Sequence, residues 1–403
     1  MKRMNAVGSL AIGVLLLLVG PWNAVQQTQA RAEQADQMPI FVFDPTWPRM
    51  PLPNNWALGN VSGVSVDQKD HIWILQRPFS ITHNAEDGLE HNPPTALCCR
   101  MAPPVIEFDQ AGNVGLSWGG PGEGYSWPQH RVPDMHKPHD AIEDWSAEHG
   151  VVADYKDHYW ITNNGAVGSD GHVLKFTRDG KFLMNVGTVG NGKGSNDTTT
   201  LGKPAGIVVD PKTNEVFIAD GYKNRRVIVF DADTGAYKRH WGAYGKPPDD
   251  AVGAKEQGCI PNGPKPTQFN TAHGIRISTD DLVYLADRGN CRIQVFKKDG
   301  TYVTEVYLPP AAGGNAFDVA LSADKEQRFL YALDGRNRKV WILRRKDLKT
   351  LGSFGCAGHF GGCFYVPHNM AVDSKGNIYV ADVQEGKRVQ RFLYKGLGPA
   401  QVQ

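Results

Sequence analysis

The sequence predicts an all-β fold, a six-bladed β-propeller, and three observations carry that expectation. A related segment recurs six times along the 403-residue chain. Within each copy, apolar and polar residues alternate with period two between turns rich in Gly, Asp and Asn, as antiparallel strands require. Gly (45) and Pro (26) are plentiful, which suits many short strands joined by tight turns.

The clearest copies are "VPHNMAVDSKGNIYVADVQEGKRVQRF" from Val366, "KPAGIVVDPKTNEVFIADGYKNRRVIVF" from Lys203, "TAHGIRISTDDLVYLADRGNCRIQVF" from Thr271 and "EHGVVADYKDHYWITNN" from Glu148. Weaker copies start at Asn60 ("NVSGVSVDQKDHIWILQR") and Asn315 ("NAFDVALSADKEQRFLYALDGRNRKVWIL"). Each has an alternating run, a polar turn, a second run rich in Val, Ile, Tyr and Trp, often "AD", and a third run ending in Phe, Leu or Trp. A "DG" turn and fourth strand often follow, as in "FKKDGTYVTEVY". Four strands per unit, repeated every forty to seventy residues or about that, describe propeller blades. Two β-sandwich domains would not share one strand order six times. The strand-like "IFVFDP" at Ile40–Pro45 is placed to close the ring with the C-terminal residues. Residues 78–147 exceed what a blade needs and read as an elaborated insertion between the first and second units. The propeller is expected over 33–403.

The first 32 residues read as a signal peptide. Positive charge at Met1–Arg3 precedes the apolar "LAIGVLLLLVG" at Leu10–Gly20, and cleavage is expected after Ala30 or Ala32 in "TQARAEQA". That run is short for a membrane span. The mature protein is therefore expected in the periplasm or outside the cell, with no stable membrane insertion. Six cysteines suit an oxidising compartment. Cys98 and Cys99 are adjacent, and Cys356–Cys363 and Cys259–Cys291 are the expected pairs; without a CxxC, zinc binding by cysteine is disfavoured. A formal net charge of +1 gives no electrostatic case for nucleic acid. The formal sequons are Asn60 and Asn196.

The repeat also makes positions comparable. The residue opening the first strand reads Ser62, His149, Ala205, His273, Phe317 and His368 through the six units. Histidine falls on alternate units, which a six-bladed ring relates by threefold rotation. First strands line the central channel, so the three imidazoles converge on its axis at one height. That is a three-histidine metal site with open positions, zinc by default and iron, copper or nickel otherwise. His136 and His139 in "MHKPHD" lie in the insertion and read as loop residues.

Arg77 and Arg288 close the second strands of units one and four, and Tyr222 follows that of unit three. The end of a second strand lies at the edge where the first begins, so these side chains share the face that bears the histidines. Units one and four are opposite. Two guanidiniums facing each other across a metal suit a carboxylate or phosphate, and a tyrosine beside them is a candidate general base. The plainer reading makes them rim salt bridges.

The units resemble NHL repeats, and together they resemble the core of peptidyl-α-hydroxyglycine α-amidating lyase. The motifs are "VSGVSVD…QR", "EHGVVAD", "PAGIVVD…ADGYKNRR", "AHGIRI…LADRGNCRIQVF" and "VPHNMAVD". The resemblance implies a secreted, zinc-dependent carbon–nitrogen lyase that cleaves the N–Cα bond of an α-hydroxyglycine-type substrate to an amide and glyoxylate. It implies zinc on His149, His273 and His368, catalysis by Tyr222, Arg77 and Arg288, and a substrate bearing a carboxylate, small or peptide. It also implies a structural calcium in the channel, with the carbonyls of Val64 and Val151 and the side chain of Asn369 as ligands. Asn369 stands where the family has aspartate, Val366 where it has a nearby methionine, and Glu148 where it has proline. Asn369 keeps one oxygen ligand but loses the charge. The competing readings are a metal-dependent, lactonase-like hydrolase and a non-enzymatic NHL scaffold.

Overall fold

A computed structural model describes residues 37–81, 98–128, 148–165, 171–252, 264–309 and 314–401. These residues form six four-stranded antiparallel sheets and one two-stranded parallel pair, Trp56–Ala57 with Arg100–Met101. The first strands of the six blades are Asn60–Val66, Glu148–Ala153, Gly206–Asp210, Ala272–Ile277, Ala316–Leu321 and Pro367–Val372. Each packs against the first strands of its two neighbours, and that of blade six meets that of blade one. The ring of a six-bladed β-propeller is thereby closed.

Blade six takes its outermost strand from the other end of the chain: Gln37–Asp44 lies beside Arg388–Pro399. This is the closure expected from "IFVFDP", and Asp44 fastens it by accepting from the Arg391 guanidinium. Blade one corrects the expected insertion. Val105–Phe108 and Val114–Trp118 are its third and fourth strands, so residues 78–147 contain the outer half of a blade. The signal-peptide segment 1–32, His136, His139 and Cys259 lie outside the described residues.

Apolar clusters fill the wedges between blades. Trp73, Leu75 and Val105 of blade one pack on Tyr159, Ile161, Leu174 and Phe176 of blade two, and Trp73 and Tyr159 stack with centroids 4.2 Å apart. Each fully buried side chain of this size contributes about 1.5–3 kcal/mol.

The recurring "AD" has a physical cause. Asp220, Asp287, Asp334 and Asp382 end the second strands and are wholly buried. Each accepts an N–H from the loop leading into its own blade's first strand: Gly202 at 2.7 Å, Asn270 at 2.7 Å, Asn315 at 3.0 Å and Val366 at 2.6 Å. Each also holds a side chain at the start of the third strand, such as Arg226 Nε at 2.9 Å or Arg292 Nε at 2.8 Å. In blade one, Gln76 replaces the aspartate and accepts from Gly59 N–H at 2.8 Å. In these five blades the contacts set where the first strand begins, and the site residues stand at that point.

Cys356 and Cys363 are bridged as expected, and Cys98 and Cys99 form a disulfide of adjacent residues that the sequence reading did not propose. Cys291 is disulfide-bonded. No described helix is long and apolar enough to cross a membrane. Asn60 is 1% exposed within its strand, so only Asn196 of the two sequons is a surface residue.

Candidate metal centre and active site

Five of the six first strands carry a register shift at the repeat position that bears the histidines. It falls between Val61 and Gly63, Glu148 and Gly150, Ala272 and Ile275, Ala316 and Asp318, and Pro367 and Asn369. A bulge leaves a residue out of the ladder and re-aims its side chain. The residues so released include Ser62, His149, His273, Phe317 and His368, and the three histidines meet.

Their ring centroids lie 4.7–4.9 Å apart pairwise, and their ligand atoms lie within 4.8 Å of one another. All are buried, at 2%, 2% and 5% exposure for His149, His273 and His368. Each Nδ1 faces a backbone carbonyl of the following blade: Ala205 at 3.0 Å, Phe317 at 2.5 Å and Ser62 at 2.7 Å. These acceptors occupy the same repeat position in the blades without histidine. The threefold pattern is thus a pairing: one blade supplies an imidazole and the next the carbonyl that orients it.

A carbonyl only accepts, so each Nδ1 carries the proton and each Nε2 presents a lone pair. Burial, reinforced by the neighbouring imidazoles and guanidiniums, pushes all three pKa values down, that of His368 to about 3. Neutral imidazoles with Nδ1 held by an outer acceptor are the form that binds metal.

Tyr222 bridges this set. Its phenolic oxygen lies 2.9 Å from His149 Nε2 and 3.2 Å from His273 Nε2, and accepts from Arg288 Nη1 at 2.9 Å. One phenolic proton therefore serves lone pairs on two imidazoles. This excess of inward-facing donor electrons, buried and pre-oriented, fits a divalent cation.

Arg288 is fixed by stacking, its guanidinium 3.9 Å from the centroid of the Phe317 ring. The ring has room because blade five has Gly335 after its second strand; a Cβ there would lie 2.2 Å from Phe317 Cε2. Arg77 is 6% exposed, and its Nε donates to Glu148 O at 2.7 Å. Six side chains singled out from the repeat thus belong to one centre. Tyr222 and Arg288 are its partly exposed members and mark the route from solvent.

Three residues at the centre escaped the sequence reading of function. Phe317 was seen only as a break in the histidine pattern. Glu148 is buried beside His149 with Oε1 accepting from Trp127 Nε1 at 2.6 Å; burial raises its pKa to about 7 against the opposing pull of Arg77. Trp127 comes from the stretch after blade one. The departure from proline at 148 was the available signal for this pair. Of the calcium residues, Asn369 and Val64 bond to each other, Oδ1 accepting from N–H at 2.7 Å, while Val151 is buried in the first strand of blade two. A second cluster, Asp67, His71 and Glu107, already encloses a cation, because Arg178 bonds to all three.

Residues 269–296 and 364–392 match the NHL repeat. A probable peptidyl-α-hydroxyglycine α-amidating lyase of Caenorhabditis elegans is 24% identical over 348 residues, covering 82% of this chain and 81% of that protein. Human NHL repeat-containing protein 3 is 29% identical over 264 residues, 61% of this chain and 66% of its own length. Rat peptidylglycine α-amidating monooxygenase is 24% identical over 243 residues, 58% of this chain, and the match spans 22% of the rat protein's length. The chain is a six-bladed β-propeller that carries NHL repeats, with distant relatives among the peptidyl-α-hydroxyglycine α-amidating lyases.

Proposed function

We propose that the protein is a metal-dependent carbon–nitrogen lyase, exported to the periplasm or secreted, acting on a small or peptide substrate with an α-hydroxyglycine-type terminus. The observation that carries this is the Tyr222 oxygen, held between two imidazole Nε2 atoms and the Arg288 guanidinium. His149, His273 and His368 would hold the metal, with zinc as the expected ion; when bound it supplies Lewis-acid polarisation of a substrate oxygen. Arg77 and Arg288, from opposite blades, receive the substrate carboxylate. Tyr222 takes the proton of the α-hydroxyl as its oxygen becomes a carbonyl and the Cα–N bond breaks. The departing nitrogen regains that proton, so an amide and glyoxylate leave and no water is consumed. Tyr222 acts in this step as the phenolate, with Arg288 donating to its oxygen.

Elemental analysis of the purified protein, with assay on α-hydroxyhippurate, tests the reading. Stoichiometric metal with release of glyoxylate and benzamide is the expected result. Tyr222→Phe should keep the metal and lose about 10²–10⁴-fold in kcat. Lactone turnover without glyoxylate would assign the site to a hydrolase. Absence of any bound transition metal would leave a scaffold, the reading that the name of the human relative suits.

A further inference from the structure

One residue further along each first strand, the channel has a second level. That position reads Gly63, Gly150, Gly206, Gly274, Asp318 and Asn369. Four blades contribute no side chain, and the glycines are needed: a Cβ on Gly274 would lie 2.2 Å from Asp318 Oδ1, and one on Gly206 would lie 2.1 Å from His273 O. Blades five and six contribute the polar pair.

Asp318 is 0% exposed. Its Oδ1 accepts from Val319 N–H at 2.9 Å; its Oδ2 accepts from Met370 N–H at 3.0 Å, Asn369 Nδ2 at 2.6 Å and Arg276 Nη2 at 3.1 Å. Arg276 comes from blade four, two residues beyond Gly274. It also donates to Ile275 O at 2.8 Å and to Met370 O at 2.9 Å. Asn369 completes the chain through its Oδ1, which accepts from Val64 N–H of blade one at 2.7 Å. Four consecutive blades, four through six and then one, are thus laced together inside the channel, across the seam where the ring closes.

This level does not fit calcium. A calcium ion takes 6–8 oxygen ligands and favours net negative charge. The Asn369 oxygen is engaged with an N–H, and the one carboxylate is saturated by four donors. Its charge is already matched by a guanidinium, so a divalent ion would add two uncompensated charges to a buried site. We propose that Arg276 is the structural cation of this channel, paired with Asp318 and taking the place of a calcium ion, and that Asn369 is neutral because the cation is part of the chain. The proposal is independent of the lyase reading, since its readouts are calcium content and melting temperature.

The metal-loaded full-length protein, equilibrated in millimolar calcium and desalted, should retain no stoichiometric calcium, and its Tm should be the same in calcium-free and calcium-containing buffer. Arg276→Met strands the buried Asp318 carboxylate, and breaking this half-buried pair should lower Tm by roughly 5–10 °C. Adding Asp318→Asn to that variant removes the stranded charge and should recover most of the loss. One equivalent of tightly held calcium with a raised Tm in the wild type would overturn the proposal. So would Arg276→Met melting with the wild type, or a double variant no more stable than the single one.

Discussion

The two levels of the channel are one residue apart on the same six strands, yet their electrostatics are opposite. At the histidine level the polar atoms facing the axis are imidazole lone pairs; Tyr222 offers its one proton to two of them, and Arg288 donates to the Tyr222 oxygen. At the Asp318 level every carboxylate contact is answered by an N–H within the chain. The first level is incomplete without a cation and the second carries its own. A ring of strands therefore does not make a channel a metal site. What decides is whether the polar atoms left over from backbone and side-chain pairing are lone pairs or N–H groups.

The largest effect expected from breaking this contrast is at the histidines. His273→Ala removes one of three ligands and uncovers the Phe317 carbonyl. Changes one shell outside a metal already cost about 10–100-fold in affinity or activity, so glyoxylate release should fall by more than about 100-fold. Elemental analysis should show the bound metal falling with it. The same change should leave the Arg276–Asp318 level intact. Full metal content in His273→Ala would show that the triad is not the ligand set.

A second expectation sharpens the comparison through pH. In the metal-free protein the imidazoles are buried and neutral, and His368 is held at about 3 against an ordinary 6.5. The folded pKa is depressed, so between those values the unfolded chain binds more protons than the folded one. Stability is present above pH 6.5 and is lost as pH falls toward the folded value, by about 1.4 kcal/mol per pH unit for each such histidine. Thermal melts of metal-free protein should show Tm dropping on acidification, and His368→Gln should flatten the slope. An unchanged slope in that variant would mean that His368 is not held neutral by the fold.

Much of this was legible because the chain repeats. Equivalent positions in a closed ring share a height, so His149, His273 and His368 could be placed together without coordinates, and Arg77, Arg288 and Tyr222 assigned to the same face. The outer half of blade one was missed because "VIEF" and "VGLSW" stand far along the chain from the second strand, which ends at Arg77, and lack the "AD…R" lead that marks other third strands. The carbonyls of Ser62, Ala205 and Phe317 were also illegible, since a backbone acceptor leaves no trace in residue type. The second channel level was hidden for a related reason. Arg276 lies two residues past a glycine in "HGIRI" and reads as the solvent face of a strand; only the ring brings it beneath Asp318 and Met370.

The smallest expected effect concerns how the exposed guanidinium is held. Arg288 meets the Tyr222 oxygen at 2.9 Å and lies on the Phe317 ring at 3.9 Å, whereas Arg77 is buried with its Nε on a carbonyl. Backbone thus fixes one arm of the carboxylate clamp and an aromatic face fixes the other. A desolvated cation–π contact is worth about 0.5–2 kcal/mol, or roughly 2–30-fold in an equilibrium. Phe317→Leu keeps an apolar side chain and the carbonyl that orients His273, but removes the π face. KM for a carboxylate substrate should rise within that range, with metal content unchanged and kcat reduced less than KM is raised. Phe317→Tyr should restore the wild-type KM, because the ring is what Arg288 rests on. If Phe317→Leu instead lost metal, the residue would act through the His273 carbonyl contact, and Arg288 would owe its position to Tyr222 alone.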